Sequence, residues 1–332
     1  MRGASIRLAC VATAIVVTTG AVPVPAAIAA TGHYPDRPLH LVVPFPAGGG
    51  ADHWGRLIAK SLSASLGQPV VVDNIPGAGG NKGTAVAAAA APDGYTLLLG
   101  SVGPLAVHQF TYSTLDFDPQ KSFTPIALLE SSPIVLVAGS AVPASSMAEL
   151  LRAARYRPGA ISYASNGRGS PEEVAGEIFK KRAQVNLTHL PYDGAGPARK
   201  AVLAGEAGLM FDPCKGALPA IRQGMQRPLA VAAAARLPGL PDVPTFSEAS
   251  ISKYELRIWT GVLAPAGTPQ EVTTRLSQAI HASLQTAEMK REIADEGGEV
   301  GDTTPAQFAT YIQSERQHWS ALVSESGIPR VQ

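Results

Sequence analysis

The sequence predicts an α/β fold built as two doubly wound lobes. Two observations carry this prediction. Apolar, β-rich runs alternate with helical patterns along almost the whole chain, and a second set of the same alternation follows the first. Alternating strands and helices favour parallel sheets covered by helices on both faces, so two such sets in succession indicate two lobes.

The predicted strands are short apolar runs bounded by Pro, Gly or Asn, which is typical of buried strands. The first set lies at residues 39–44, 70–73 and 96–100. The second set lies at residues 161–164, 187–190, 208–211 and 229–233.

The predicted helices show apolar residues at helical spacing. Trp54, Ile58, Leu62 and Leu66 recur every four residues, which places them on one helical face, and Gly67 is a typical helix stop. The C-terminal part is also predicted to be helical. Its last face is apolar except for Glu315 and contains Phe308, Tyr311, Ile312, Trp319, Leu322 and Val323.

Composition and charge exclude several classes of protein. Of the 332 residues, 45% are hydrophobic and 16% are charged, and the net charge is +1. High apolar content with little net charge excludes an intrinsically disordered chain. A nucleic-acid-binding protein would need a basic excess that this chain lacks, so we expect no nucleic-acid partner. The length suits one large or two medium domains with a proper core.

Residues 1–29 are predicted to be a cleaved secretory signal. A short basic region precedes an apolar segment at residues 11–22, which is too short to span a bilayer. Ala27-Ile28-Ala29 then supplies the small residues that precede a cleavage site. We therefore expect a protein that is exported to the periplasm.

The two cysteines bear on this assignment. Cys10 raises the alternative of a lipoprotein, but it precedes the apolar segment instead of ending it. Cys214 is the cysteine that remains after cleavage, so no internal disulfide is expected.

Five loops follow predicted strands and are candidates for a binding site, because ligands of open α/β sheets bind beyond the carboxyl ends of the strands. They are residues 45–52, 74–84, 101–103, 165–170 and 212–215. Three of these loops are rich in glycine, so their backbone N–H groups can approach a ligand closely, and a helix start favours an anion. A side chain at Gly49 is expected to block such an approach or to force a conformation that only glycine adopts easily.

The motifs of nucleotide-binding and catalytic sites are incomplete. Lys82 follows Gly77 and Gly79 without the spacing of a phosphate loop or of a dinucleotide fingerprint. No Gly-x-Ser-x-Gly elbow is present, and the histidines and Cys214 lack the spacing of metal ligands. We therefore predict a binding protein that is not an enzyme and that needs neither a metal nor a cofactor.

Motifs in register along the chain resemble the solute-binding proteins of tripartite tricarboxylate transporters, also called Bug receptors. In the first part these motifs are Tyr34-Pro35-Asp36-Arg37-Pro38, Val43-Pro44-Phe45-Pro46-Ala47-Gly48-Gly49, residues 74–81 and Pro92-Asp93-Gly94-Tyr95-Thr96-Leu97-Leu98. Further along they are Tyr163-Ala164-Ser165, His189-Leu190-Pro191-Tyr192, Met210-Phe211-Asp212, Leu240-Pro241-Asp242-Val243-Pro244-Thr245 and Leu263-Ala264-Pro265-Ala266-Gly267-Thr268-Pro269. The resemblance covers essentially the whole mature chain.

The resemblance implies a type II periplasmic-binding-protein fold that closes like a hinge around a small organic carboxylate. Lobe 1 would comprise residues 33–137 and 233–332 and lobe 2 residues 138–232, with the chain crossing between them near residues 135–139 and 229–233. The binding residues implied in the first lobe are Phe45, Ala47, Gly48, Gly49, Asp52 and Ser101. Those implied in the second lobe are Ser165, Asn166, Gly167, Gly169, Ser170 and Asp212.

The resemblance also implies a monomer that delivers its ligand to the membrane permease subunits of a tripartite transporter. A carboxylate-sensing co-receptor for a two-component histidine kinase is the alternative, because the two roles share one fold.

Four residues depart from the usual family pattern, namely Lys82, Glu172, Asp193 and Lys215. Glu172, Asp193 and Asp212 add negative charge around the loops of the second lobe, unless Arg168 and Lys215 neutralise these acids. This favours a ligand with one carboxylate and a neutral or cationic tail over citrate.

Overall fold

The computed structural model describes residues 34–295 and 297–332, so the predicted signal at residues 1–29 lies outside the described residues. The strands are β1 (Leu39–Val43), β2 (Val70–Asn74), β3 (Thr96–Ser101), β4 (Phe123–Ala138), β5 (Ser162–Ser165), β6 (Thr188–Pro191), β7 (Leu209–Pro213), β8 (Arg227–Val231), β9 (Arg257–Pro265) and β10 (Glu299–Val300). The predicted strands are confirmed with shifts of one or two residues at their ends.

The helices are α1 (Gly50–Leu66), α2 (Asn81–Ala88), α3 (His108–Thr111), α4 (Met147–Tyr156), α5 (Pro171–Ala183), α6 (Ala195–Ala204), α7 (Cys214–Arg222), α8 (Gln270–Leu284), α9 (Ala287–Asp295) and α10 (Pro305–Ser326). A short 3-10 turn, Ala78–Gly80, precedes α2, and a π-helical turn, Gly103–Val107, precedes α3. Among the described residues, no helix is both long enough and apolar enough to cross a bilayer.

The sheet is mixed, with strand order β2-β1-β3-β9-β4-β7-β5-β6. The pairs β1–β2, β1–β3, β5–β6 and β5–β7 are parallel, as the alternating pattern predicts. The expectation of parallel sheets throughout is wrong, because β9 runs antiparallel to both β3 and β4, and β4 runs antiparallel to β7 and β8.

Strand β4 joins the two halves of this sheet order. Residues 123–133 pair with β9, whereas residues 134–138 pair with β7 and β8. Next to the change of partners, the Ile134 N–H donates to the carbonyl of Leu256 at 3.0 Å, and its carbonyl accepts from the Ala232 N–H at 2.7 Å. The boundaries of the two lobes remain a prediction, and β4 is the strand that runs through both halves.

The predicted apolar helix faces are buried. Trp54, Ile58 and Leu62 are at most 1% exposed, and α1 ends at Gly67 in the left-handed conformation, with φ 72°. On α10, Glu315 interrupts the apolar face because its carboxylate accepts hydrogen bonds from the indoles of Trp259 and Trp319 at 3.1 and 3.2 Å. Burial raises the pKa of Glu315, and these two hydrogen bonds satisfy its otherwise costly polar oxygen.

Candidate functional site

The first candidate loop leaves β1 and enters α1 through exposed glycines. Gly49 is the N-cap of α1 and provides no side chain to cap the helix. The first helical hydrogen bond runs from the His53 N–H to the Gly49 carbonyl at 3.0 Å. The N–H groups of Gly49, Gly50 and Ala51 have no acceptor among the described residues. A helix start with free donors is a ready site for an anion.

Gly48, and not Gly49, is the glycine whose conformation this loop requires. Gly49 has φ −90° and ψ 173°, which any residue adopts, and a Cβ there would lie 3.5 Å from the Pro46 carbonyl oxygen, an ordinary contact. The expectation of backbone strain from a side chain at Gly49 is therefore wrong. Gly48 has φ +78°, a region that favours glycine.

Asp52 fixes this turn from within the helix. One carboxylate oxygen, Oδ2, accepts from the Gly48 N–H at 2.9 Å and from Arg56 at 3.0 Å, so the Gly48 N–H is not free for a ligand. Burial opposes ionisation of Asp52, but hydrogen bonds from Arg56, Gly48 and Asn74 outweigh it and lower the pKa of this carboxyl. The other oxygen, Oδ1, is buried and has no hydrogen-bond partner in the part of the chain that the structure describes.

The second loop packs directly against the first. Phe45 lies over Gly80, where a Cβ would come within 3.1 Å of the Phe45 ring, and Asn74 donates to the Phe45 carbonyl at 3.2 Å. Beyond them, Nδ1 of the buried His108 donates to the Asn81 side-chain oxygen at 2.6 Å. His108 was not foreseen from the sequence, since it follows a π-helical turn that no local pattern predicts.

The fourth loop is held by a line of hydrogen bonds. The Ser165 hydroxyl lies 2.6 Å from His189 Nε2, and His189 Nδ1 lies 3.0 Å from Glu173 Oε1. The second oxygen of Glu173 accepts from the Gly169 N–H at 2.5 Å. This order of groups is that of a serine–histidine–acid triad, which sequence reasoning missed because the three residues lie on separate elements. Ser165 is fully buried, so these hydrogen bonds position the loop and do not present a nucleophile.

The fifth loop begins at Asp212, a fully buried residue of β7. Its carboxylate receives two hydrogen bonds from Arg199, at 2.6 and 2.8 Å. The suggestion that Lys215 neutralises the acids of the second lobe is wrong, because Lys215 pairs with the buried Glu130 of β4. Thr260, whose backbone faces Ser101 across β9 and β3, also donates to Glu130, at 2.9 Å.

The end of α3 contacts the fourth loop. Thr111 donates to the Gly169 carbonyl at 2.9 Å, and the Tyr112 hydroxyl donates to the Arg168 carbonyl at 3.4 Å. A cleft of about 690 Å³ lies elsewhere. Its lining includes Gln109, Phe123 and Arg316 but no residue of the five predicted loops. The assignment of the twelve predicted residues to a ligand site remains a prediction.

Residues 55–328 match the family model described as the tripartite tricarboxylate transporter family receptor. This chain belongs to that receptor family. Protein BugT of Bordetella pertussis is 35% identical over 295 residues, which cover 89% of this chain and 90% of BugT.

Solved structures of receptors share the fold. The structure of R. palustris Rpa4515 with adipate is 34% identical in sequence to this chain and aligns with a TM-score of 0.86. The alignment covers 90% of this chain and 100% of the Rpa4515 chain. MatC from Rhodopseudomonas palustris with bound malate is 33% identical in sequence to this chain and aligns with a TM-score of 0.82. The alignment covers 87% of this chain and 100% of the MatC chain. The predicted fold class, an α/β protein of the type II periplasmic-binding-protein kind, is confirmed.

The four residues that depart from the receptor family pattern differ in their surroundings. Lys82 and Asp193 are exposed. Lys215 is paired with Glu130. Glu172 is only 3% exposed, and its Oε2 atom has no hydrogen-bond partner among the described residues.

Burial raises the pKa of Glu172 from its ordinary value of 4.5 to about 7. Its own backbone amide, the Ser170 hydroxyl and Arg199 oppose this shift, whereas the negative charge of Asp212 adds to it. A carboxyl that holds its proton more tightly in the folded state stabilises that state at low pH, and the stabilisation is lost as the pH rises through the folded pKa.

We therefore expect Glu172→Gln to gain stability relative to the wild type between pH 4.5 and about pH 7, by a difference on the order of 3 kcal/mol. Urea unfolding of both proteins at the two ends of this range measures the difference, and the titration of all other groups cancels in the comparison. If the two proteins differed in unfolding free energy by the same amount at both ends of this pH range, the raised pKa of Glu172 would be contradicted.

Proposed function

We propose that this chain is a periplasmic receptor, not an enzyme, that captures a small organic carboxylate by hinge closure and delivers it to the permease subunits of a tripartite transporter. The single observation that carries the proposal is the start of α1, where the N–H groups of Gly49, Gly50 and Ala51 have no acceptor among the described residues. Membership of the receptor family supports it, as do the relatives with adipate and with malate.

The carboxylate would bind at this helix start. Free backbone donors and the positive end of the helix dipole both stabilise negative charge. Asp52 leaves this position open, because its carboxylate turns to Gly48 and Arg56 instead of capping the free amides. Ala47 and Phe45 would border the bound group, and Ser101 would lie at the end of the adjacent strand β3.

The loops of the second half would cover the other side of the ligand. Ser170 caps α5 by accepting from the Glu173 N–H at 3.2 Å. The side-chain oxygen of Asn166 is buried and has no hydrogen-bond partner within residues 34–295 and 297–332. Gly167 and Gly169 both have positive φ, at 126° and 77°, so the loop between them follows a path that favours glycine. Strand β4, which pairs with both halves of the sheet, would carry the hinge.

A thermal-shift screen of carboxylates, each paired with its uncharged amide, tests the proposal. A ligand at roughly 100 times its Kd stabilises the folded state by about 2.7 kcal/mol, which is readily measured as a rise in melting temperature. We expect at least one carboxylate to stabilise the protein and its amide to have no effect. Absence of any shift across small mono-, di- and tricarboxylates, or equal shifts by acids and amides, would contradict the proposal.

A further inference from the structure

The buried acceptors beside α5 identify the kind of ligand that the site takes. Glu172 Oε2 and Asn166 Oδ1 are both buried and both lack a hydrogen-bond partner among the described residues. A buried acceptor without a donor is costly. The amide oxygen of Asn166 only accepts, and Oε2 of Glu172 only accepts once this carboxyl has lost its proton. The second half of the site therefore needs hydrogen-bond donors from whatever fills it.

The two partly buried cations of this region, Arg199 and Lys215, are already committed to acids of the chain. Arg199 makes two hydrogen bonds to Asp212, and Lys215 pairs with Glu130. Arg168 is exposed. No buried cation among the described residues of these loops is therefore left to neutralise a second carboxylate of a ligand.

The start of α5 is also unlike the start of α1. The Ser170 hydroxyl already accepts from the Glu173 N–H, and the first turn carries two acids of its own, Glu172 and Glu173. A carboxylate is attracted to a helix start, but here the chain supplies that charge itself. The start of α1 thus carries free donors, whereas the start of α5 carries acceptors.

We infer that the ligand is a small monocarboxylate whose far end carries hydrogen-bond donors, an ammonium or a hydroxyl group, and that Glu172 selects against a second carboxylate. The inference rests on the proposed function, because it places the carboxylate of the ligand at the start of α1. Glu172 is then a specificity-determining residue, with its Oε2 accepting from the donor end. A dicarboxylate would set two negative charges beside each other where neither is solvated.

The test is calorimetric titration at about pH 8, above the pKa of Glu172, with three probes at each of several chain lengths. The probes are an unbranched α,ω-dicarboxylate, the ω-amino monocarboxylate and the ω-hydroxy monocarboxylate of equal length. At the best chain length, we expect an amino or hydroxy acid to bind at least about tenfold more tightly than the dicarboxylate.

Glu172→Gln should reduce this preference by about tenfold or more, since the amide keeps the shape of the side chain and removes its charge. Glu206→Gln, which removes an exposed acid of the same half, is the matched control and should leave the preference unchanged. Melting temperatures of all three proteins show that each is folded in the titration.

The outcomes separate this inference from the proposed function. Tighter binding of the dicarboxylate overturns the inference and leaves the proposed function standing; proton uptake on binding would then show that Glu172 accepts the second carboxylate as a neutral acid. An unchanged preference in Glu172→Gln overturns the role of Glu172. Failure of every acid to bind, in this series and in the thermal-shift screen, counts against the proposed function itself.

Discussion

Replacing Arg199 by Met should lower the free energy of unfolding by about 3–5 kcal/mol. Asp212 is fully buried, and the two hydrogen bonds from Arg199 are what compensate its charge. Gly216 lies against the guanidinium so closely that a Cβ there would overlap it. Without the arginine, the buried carboxylate loses the cation that compensates its charge, and this destabilises the folded state.

Urea unfolding of three variants measures the effect. Arg236→Met is the matched control, because Arg236 also binds a carboxylate through two contacts, at 3.1 and 2.9 Å, but both side chains of that pair are 46% exposed. Its loss should cost at most about 1 kcal/mol. The double variant Arg199→Met/Asp212→Asn should regain much of the lost stability, because no buried charge remains. Equal losses in the two single variants would contradict the account of the buried pair.

Replacing Gly49 by Asp should strongly weaken carboxylate binding while leaving the protein as stable as the wild type. The backbone of Gly49 accepts a side chain without strain, and Asp is a better N-cap residue than Gly by a few tenths of a kcal/mol. The new carboxylate would occupy the free donors of α1 and repel a ligand carboxylate. Loss of charge-assisted hydrogen bonds of this kind corresponds to roughly 10- to 100-fold in affinity.

Gly49→Asn is the matched variant, because it has the same shape and caps the same helix without a charge. It should weaken binding less than Gly49→Asp, and both variants should keep or slightly raise the melting temperature. Calorimetry with the most stabilising acid of the thermal-shift screen, on samples whose melting temperatures are also recorded, measures both quantities. Wild-type affinity in Gly49→Asp would remove the start of α1 from the binding site.

The loops and the strands that lead into them could be predicted from the sequence because their signals are local. A short apolar run that ends in glycine or proline marks both the strand and the turn after it, as in β1 and the loop that contains Gly48. The repeated spacing from Trp54 to Leu66 likewise identified the buried face of α1. The family motifs then indicated which of these loops belong together.

Strands β4 and β9 could not be predicted in the same way. The interior of β4 contains Glu130, Ser131, Ser132 and Pro133, which are all poor strand residues by local preference. Glu130 and Ser131 are tolerated here because their side chains have partners. Glu130 forms an ion pair with Lys215 and accepts a hydrogen bond from Thr260, and Ser131 accepts from Arg257 at 3.0 Å. Each partner is distant in the sequence, so only the folded chain reveals why the strand continues through this segment.

The polar partners within the site were also beyond sequence reasoning. Asp212 was predicted to bind the ligand, but its carboxylate accepts hydrogen bonds from Arg199, which lies 13 residues away in the sequence. The line from Ser165 through His189 to Glu173 joins residues of β5, β6 and α5. Such pairings depend on the register of neighbouring strands, and a single sequence does not contain the register.

The central claim is that backbone amides at the start of α1 bind the carboxylate of the ligand, and amide NMR of the ¹⁵N-glycine-labelled protein tests it directly. On titration with the most stabilising acid of the screen, the amide protons of Gly49 and Gly50 should shift downfield, because each gains a charged acceptor. The amide of Gly48, already bonded to Asp52, should shift less, and the uncharged amide of the same acid should move none of the three. Saturating binding that leaves Gly49 and Gly50 unmoved would contradict the account.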